Sequence, residues 1–334
     1  MGKMLVTGGA GFIGSHVVDE LVSMGKDVIV LDDLSGGFKD NLNEKAEFVN
    51  GDIRNDKLVA KLFKENEIEY VFHLAAYAAE GLSHFIKKYN YENNLMGSIH
   101  LINEAIKSKV KCFVFTSSIA VYGKNQLPMT EETTPQPEDP YGISKYAIEQ
   151  ELEVSRKMFG LNYIVFRPHN VYGEKQNIGD KYRNVVGIFM NQIMQGKPIS
   201  IFGDGSQTRA FSYVGDVAPI IAKSIFVDEA YNQVFNIGAD DPYSVKELAN
   251  VVVKHMKDGD DHEVNHHPER NEVMHAYSAH EKVKKVFNHE TKYDLNEGVK
   301  RMAAWAKIVG ARESKHFENI EITENLPESW LKKD

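Results

Sequence analysis

Gly8-Gly-Ala-Gly-Phe-Ile-Gly14 is the stretch that most constrains what this chain can fold into. The apolar run Lys3-Met-Leu-Val-Thr7 before it reads as a buried strand, and the apolar spacing from Ser15 to Met24 reads as a helix. A strand that enters a helix through glycines leaves backbone N–H groups uncovered at the positive end of that helix, with no Cβ in the way. Such a turn suits the pyrophosphate of a dinucleotide, so Gly8, Gly11, Phe12, Ile13 and Gly14 are the expected cofactor contacts. A second apolar strand, Val28-Ile-Val-Leu31, ends in Asp32 and Asp33. A dinucleotide fold has a carboxylate near this point that accepts from the adenosine ribose hydroxyls. An acid there repels a 2′-phosphate and favours NAD over NADP. Gly36-Gly37 follows, and Gly37 lets the chain pass close to that ribose.

The alternation continues through Phe48-Val49, Tyr70-Val-Phe-His-Leu74, Cys112-Phe-Val-Phe-Thr116 and Tyr163-Ile-Val-Phe166, with amphipathic stretches between. Repeated βα units predict an α/β fold, a Rossmann-type doubly wound parallel sheet. Long helices are expected over about 90–108 and 141–158. Past Arg167 the pattern loosens, and residues 171–334 read as a smaller mixed α/β substrate lobe. Residues 1–170 form the cofactor domain, rejoined by about 210–240, where Val234-Phe-Asn-Ile237 looks like one more strand. The ligand is expected in the cleft between the two.

A net charge of −9 argues against nucleic acid or a membrane surface as partner, each of which needs a basic face, while a few local arginines can still bind an anionic substrate. With one cysteine no internal disulfide can form, which fits a reducing compartment. The first strand begins at once, leaving no room for a signal peptide, and no apolar run spans a bilayer. A cytoplasmic protein is expected. His262, His266, His267 and His275 crowd one segment, but without carboxylate or thiolate company they are read as partly exposed strand and loop, and no metal site is expected.

Tyr141 and Lys145 are four residues apart in a segment opened by Asp139-Pro140, so they share one helix face. A free phenol titrates near pH ~10, too high for a base at neutral pH. A neighbouring ammonium and a nicotinamide cation would each stabilise the phenolate. Alone, the pair would be no more than a solvated helix face. Upstream, Thr116-Ser117-Ser118 sits at the carboxyl end of a central strand, where open parallel sheets bind ligands. Ser118 could hold the substrate oxygen that Tyr141 deprotonates, and Ser118, Tyr141 and Lys145 beside a nicotinamide make a hydride-transfer site.

These pieces occur in order: Thr7-Gly-Gly-Ala-Gly-Phe-Ile-Gly14, Gly51-Asp-Ile53, His73-Leu-Ala-Ala76, Thr116-Ser-Ser118 with Val121-Tyr-Gly123, Tyr141-x-x-x-Lys145 and Arg167-Pro-His-Asn170. Together the chain resembles the extended short-chain dehydrogenase/reductase family over nearly its whole length, and within it the nucleotide-sugar epimerases of the UDP-glucose 4-epimerase type. The resemblance implies tightly bound NAD, a UDP-sugar substrate and a homodimer paired through the two long helices. It also implies that Asp52 and Ile53 meet the adenine, that Leu74, Ala75 and Ala76 line the cofactor, that Asn93 steadies the helix beside it, and that Thr116, Tyr141, Lys145 and Pro168 complete the cofactor contacts. Asn170 and Asn184 match positions that hold the diphosphate, Phe202 a contact to the uracil ring, and Arg209 and Arg270 the arginines that clamp the phosphates.

Family dehydratases carry Asp-Glu directly after the catalytic Ser/Thr, and decarboxylases a Glu two residues after it. Here those positions are Ile119 and Ala120. The epimerase chemistry is what the resemblance then implies: Tyr141 takes the O4 proton while C4 gives its hydride to NAD⁺, the 4-keto sugar turns over, and the hydride returns to the opposite face. A reductase or an epimerase at another carbon would use the same three residues. A non-catalytic NAD-sensing protein would often lack Tyr141 or Lys145. A side chain after the last phosphate-binding arginine walls the sugar pocket in this family. Counting back from Lys282 puts Ala276 there, which admits an N-acetyl group, and counting forward from Arg270 puts Tyr277 there, which excludes one. Ala276 is preferred. The loop Gln176-Asn-Ile-Gly-Asp-Lys-Tyr-Arg183 departs from the compared epimerases and could reshape the sugar end.

Overall fold

The computed structural model describes residues 2–257, 262–269, 273–314, 316–327 and 330. Its centre is a seven-stranded, all-parallel sheet. The strands are β1 (Lys3–Thr7), β2 (Val28–Asp32), β3 (Glu47–Asn50), β4 (Ile68–His73), β5 (Cys112–Thr116), β6 (Tyr163–Pro168) and an edge strand, Gln233–Ile237. Their spatial order is edge strand–β6–β5–β4–β1–β2–β3. Every residue of β2 and β5 is buried, as expected of strands covered by helices on both faces. The order reverses between β1 and β4, which opens a crevice above the carboxyl ends of those strands. Thr7 and His73 lie there, and the glycine turn and Leu74-Ala-Ala76 leave from it.

On one face, α2 (Asp56–Glu65), the helix Gly97–Lys107 and the helix Pro140–Phe159 bury Leu62, Leu101, Ile148 and Leu152 against Leu5, Val71 and Phe113. On the other face, α1 (Phe12–Ser23) packs with the helix Val214–Lys223. That apolar core continues without a break into Phe189, Leu248 and Val299 of three later helices. The C-terminal half therefore adds small sheets and helices to a shared core.

Pro140–Phe159 is the expected 141–158 helix. Asp139 caps it by accepting from Gly142 N–H at 2.9 Å, Pro140 opens the first turn, and Gly160 at φ +76° ends it. The expected 90–108 helix is interrupted. A short helix, Lys87–Tyr91, passes through one π-turn, Glu92–Met96, before Gly97–Lys107 begins. The side chains of Asn90 and Asn94 are drawn out of this segment toward Pro140 and Tyr77, a local demand that a widened turn meets.

In the C-terminal half, Thr208–Ala210 pairs antiparallel with Pro242–Ser244 and parallel with His275–Ala276. Val264–His267 pairs with Ile199–Phe202, so part of the histidine-rich segment is a strand, with Val264 to His266 exposed. No described helix is long and apolar enough to cross a membrane.

Candidate active site

The glycine turn closes as its sequence demands. Gly8 has φ +73°, and a Cβ on it would lie 2.6 Å from Ala75 N. A Cβ on Gly14 would sit 2.1 Å from Gly8 O, and one on Gly37 2.5 Å from Ala10 O. Gly11 is the N-terminal cap residue of α1 and offers no side chain to its N–H groups. Phe12 and Ile13 begin the helix and lean on the core.

The two acids after β2 divide their work. Asp32 is buried and accepts from Ala10 N–H at 3.0 Å and Leu34 N–H at 2.8 Å, so it holds the glycine turn to the end of β2. Burial pushes its carboxyl up, and those N–H groups pull it back. Asp33 is exposed and binds Ser35 through a single oxygen. Further along, Asp52 accepts from Arg54 Nε at 2.8 Å, while Ile53 is buried against the Gly97 helix. Leu74 and Ala75 donate their N–H groups to Thr7 O and Thr7 Oγ1, and Ala76 follows them along the crevice.

The expected catalytic residues converge at the end of β5. Tyr141 is buried and hydrogen-bonds Ser118, whose Oγ also accepts from Ala120 N–H at 3.1 Å. Lys145 lies beneath, its Nζ donating to Thr116 O at 2.7 Å and standing 5.7 Å from the Tyr141 ring centroid. Burial raises the Tyr141 phenol above its ordinary value; Ser118 and Arg183 oppose that, and Glu80 and Asp139 add to it. Burial brings the Lys145 ammonium down to about 7, with Glu149 pulling the other way. Thr116 Oγ1 is buried with no hydrogen-bond partner among the described residues.

The braces of this site were not read from the sequence. Glu149, two helical turns after Tyr141, accepts from Arg167 Nε at 3.0 Å and Nη2 at 2.5 Å, and also from Ser117 Oγ. Arg167 Nη1 reaches Tyr122 Oη at 2.7 Å, and Tyr122 donates to Asn236 of the edge strand at 2.8 Å. This locks the Tyr141 helix to β5, β6 and the edge strand. The only signal in the sequence was spacing, with Glu149 four residues beyond Lys145 and Arg167 opening its own motif. A second brace runs through Asn94, the neighbour of the expected Asn93. Asn94 ties the helix to the crevice, accepting from Tyr77 N–H at 2.7 Å and donating to Tyr77 O at 3.1 Å; Asn93 donates to Asn94. Neighbouring asparagines cannot be told apart without knowing where the π-turn points them.

The residues expected to hold the nucleotide sugar are more scattered. Pro168 ends β6, and Asn170 donates to Ala210 O at 3.1 Å. Asn184, at φ +64°, precedes the helix Val185–Met194 without capping it through its side chain. The Phe202 ring stacks on His267, with centroids 5.1 Å apart. Arg209, expected to clamp the phosphates, lies in register with Ala276, and its guanidinium donates to the carbonyls of Thr208, Val273 and Met274. Three carbonyls converge on it because its strand runs beside His275–Ala276. Tyr277 O accepts from Met129 N–H. Arg270 lies outside the described residues.

The turn closes this tightly only because Gly8, Gly14 and Gly37 lack Cβ atoms, and the buried Thr116 hydroxyl at the end of β5 has no hydrogen-bond partner among the described residues. Both features fit a dinucleotide lying across β1, β4 and β5. The sequence matches the NAD dependent epimerase/dehydratase family over residues 4–238. The chain belongs to that family. It is an NAD-dependent enzyme whose relatives act on UDP-sugars. UDP-glucose 4-epimerase from Thermotoga maritima, solved with UDP-glucose, is 37% identical, with a TM-score of 0.87 over 92% of this chain and 99% of that one. The Thermus thermophilus UDP-glucose 4-epimerase, solved with NAD, is 30% identical with a TM-score of 0.85, covering 91% and 99%. A UDP-N-acetylglucosamine 4-epimerase from Methanobrevibacter ruminantium, in complex with UDP-N-acetylmuramic acid, is 29% identical with a TM-score of 0.85, covering 92% and 99%.

Proposed function

We propose that this family member epimerises UDP-hexoses at C4, with NAD retained between turnovers. The observation that carries the reading is the Ser118–Tyr141–Lys145 cluster beside Ile119 and Ala120, where the family's dehydratases and decarboxylases have acids. NAD⁺, when bound, supplies the acceptor for the C4 hydride and its return. Tyr141 as phenolate takes the O4 proton, and Ser118 orients that oxygen. Burial, Glu80 and Asp139 oppose ionisation of the Tyr141 phenol and Arg183 favours it; in this reading Lys145 from the same helix and the nicotinamide add the remaining positive charge. With Ile119 and Ala120 where the dehydratases carry the acids that eliminate water, the 4-keto sugar is reduced again, from either face.

In this reading residues 1–170, with about 210–240, serve the cofactor, and the rest of 171–334 serves the nucleotide sugar. Gly8, Gly11 and Gly14 hold the cofactor diphosphate, Thr116 Oγ1 and Lys145 its nicotinamide end, and Asp33 the adenosine ribose. Asn170, Asn184, Phe202, Arg209 and Arg270 hold the uridine diphosphate. Ala276 walls the sugar pocket and admits N-acetyl groups. Exposed Ile143, Val154, Met158 and Phe159 on the Tyr141 helix, and Met96 before the Gly97 helix, suit pairing with a second copy of the chain. Cytoplasmic residence fits a single, buried cysteine.

The test is proton NMR of the anomeric region with UDP-glucose and, separately, UDP-N-acetylglucosamine, with no cofactor added. The galacto signal is expected in both tubes. Silence in both, with bound NAD confirmed, would move the activity to another sugar or carbon. A signal from UDP-glucose alone would exchange Ala276 for Tyr277 as the pocket wall.

A further inference from the structure

Arg183 ends the unusual Gln176–Arg183 loop, and the structure brings it out of the substrate half and over the cofactor crevice. Its guanidinium carbon stands 4.8 Å over the Tyr77 ring, just past Leu74-Ala-Ala76. Its Nη2 is 3.9 Å from where a Cβ of Gly36 would lie, one residue before the Gly37 that packs on Ala10. Its charge is also felt at Tyr141. The side chain thus lies between the Tyr77 ring and Gly36, and only 18% of it is exposed.

The fork is half used. Asp180 takes Nε at 2.7 Å and Nη2 at 2.5 Å, while Nη1 makes no hydrogen bond to a described residue. Asp180 is itself steadied by Tyr182 N–H at 2.9 Å. The glycine turn offers a diphosphate only backbone N–H groups, with Asp32 and Asp33 close behind. Arg54 and Lys175, other cations on this rim, are already paired with Asp52 and Asp19.

We propose that Arg183 is a cofactor-binding residue, closing the free edge of its guanidinium on the NAD diphosphate from the side opposite the glycine turn. A planar fork with one edge pinned and the other open is pre-oriented for a phosphate oxygen. The proposal rests on NAD binding and is independent of which sugar is used. It makes cofactor retention depend on a loop contributed by the substrate half.

The test measures NAD itself. Wild-type, R183K, R183Q and D180N proteins are stripped of cofactor, and the Kd for NAD is determined by calorimetry at low and high salt. R183Q should bind NAD roughly ten- to a hundredfold more weakly, with R183K between it and wild type and D180N within a few-fold of wild type. The salt dependence of binding should be shallower in R183Q, because an ionic contact has been removed. An unchanged Kd in R183Q overturns the proposal, as does a D180N loss equal to that of R183Q, which would make the pair a structural loop clamp. Unchanged NAD affinity with a raised KM for UDP-sugar also overturns it and assigns Arg183 to the substrate. Thermal melts of the stripped proteins separate lost affinity from lost fold, and R183K carries the test if R183Q does not fold.

Discussion

The two ends of the ligand crevice are built by different means. The glycine turn itself is a backbone device: three glycines, the N-terminus of α1, and an aspartate spent on holding the turn in shape. At the proposed sugar end the candidate contacts are side chains from separate stretches, held by strands of two to four residues. Backbone sites tolerate side-chain change but not an added Cβ. Side-chain sites fail one residue at a time.

The largest expected effect sits where the two ends meet. Tyr141→Phe should lower kcat by about 10²–10⁴ with the fold intact, the scale of a lost general base; unchanged turnover in the NMR assay would remove Tyr141 from the chemistry. Glu149→Gln tests whether the cofactor half is as backbone-built as the comparison says. It breaks a buried ion pair and should cost about 3–5 kcal/mol in denaturant unfolding. A loss below about 1 kcal/mol, the scale of an exposed pair, would mean that the Tyr141 helix is held by packing alone.

Two substitutions should then part company. Gly14→Ala places a Cβ 2.1 Å from Gly8 O, so NAD affinity should fall while the KM for sugar follows only as cofactor is lost. Asn170→Ala removes the tie to Ala210 O and should raise the KM for UDP-sugar with NAD affinity unchanged. If both variants moved both constants equally, the two ends would be one cooperative site.

A pH slope, which touches neither end of the crevice directly, is the last expectation. His73 sits between Thr7 Oγ1 and Ser98 Oγ, each at 2.7 Å, and His169 between Ala210 O and His280, each at 3.0 Å. Burial brings both imidazoles down to about 3, helped by the charges of Lys145 and His280 respectively. The unfolded chain takes up protons near pH ~6.5 that the folded chain refuses until about 3. Their contribution is therefore complete above the unfolded value and lost as pH falls toward 3, by about 1.4 kcal/mol per pH unit for each histidine. Urea midpoints at pH 7, 5.5 and 4 check this, and His73→Asn should flatten part of the slope. A wild-type midpoint independent of pH over that range would contradict it.

The sheet, the glycine turn and the catalytic residues were legible because each rests on local pattern. Apolar runs of strand length, glycines where a Cβ cannot fit, and a tyrosine four residues before a lysine all carry their meaning within a few positions. What stayed hidden depends on where distant segments land. Glu149 gains its role from Arg167, Asn94 from a π-turn that sets it apart from Asn93, and Arg209 from three carbonyls that no spacing announces. The Gln176–Arg183 loop stood out as a departure, yet nothing in it revealed that Arg183 crosses to Tyr77.

The last described residues leave the final helix and return over this same wall. Phe317, Leu326 and Trp330 pack with Tyr77, Tyr89 and Tyr182, and Glu321 accepts from the N–H groups of Lys88 and Tyr89. Trp330 is one of only two tryptophans, and its ring lies 5.2 Å from that of Tyr182, next in sequence to Arg183. The protein thus carries its own optical gauge. With Trp305 replaced by phenylalanine, the remaining indole emission would report, without any label, whether this strap and the loop beneath it are seated or adrift.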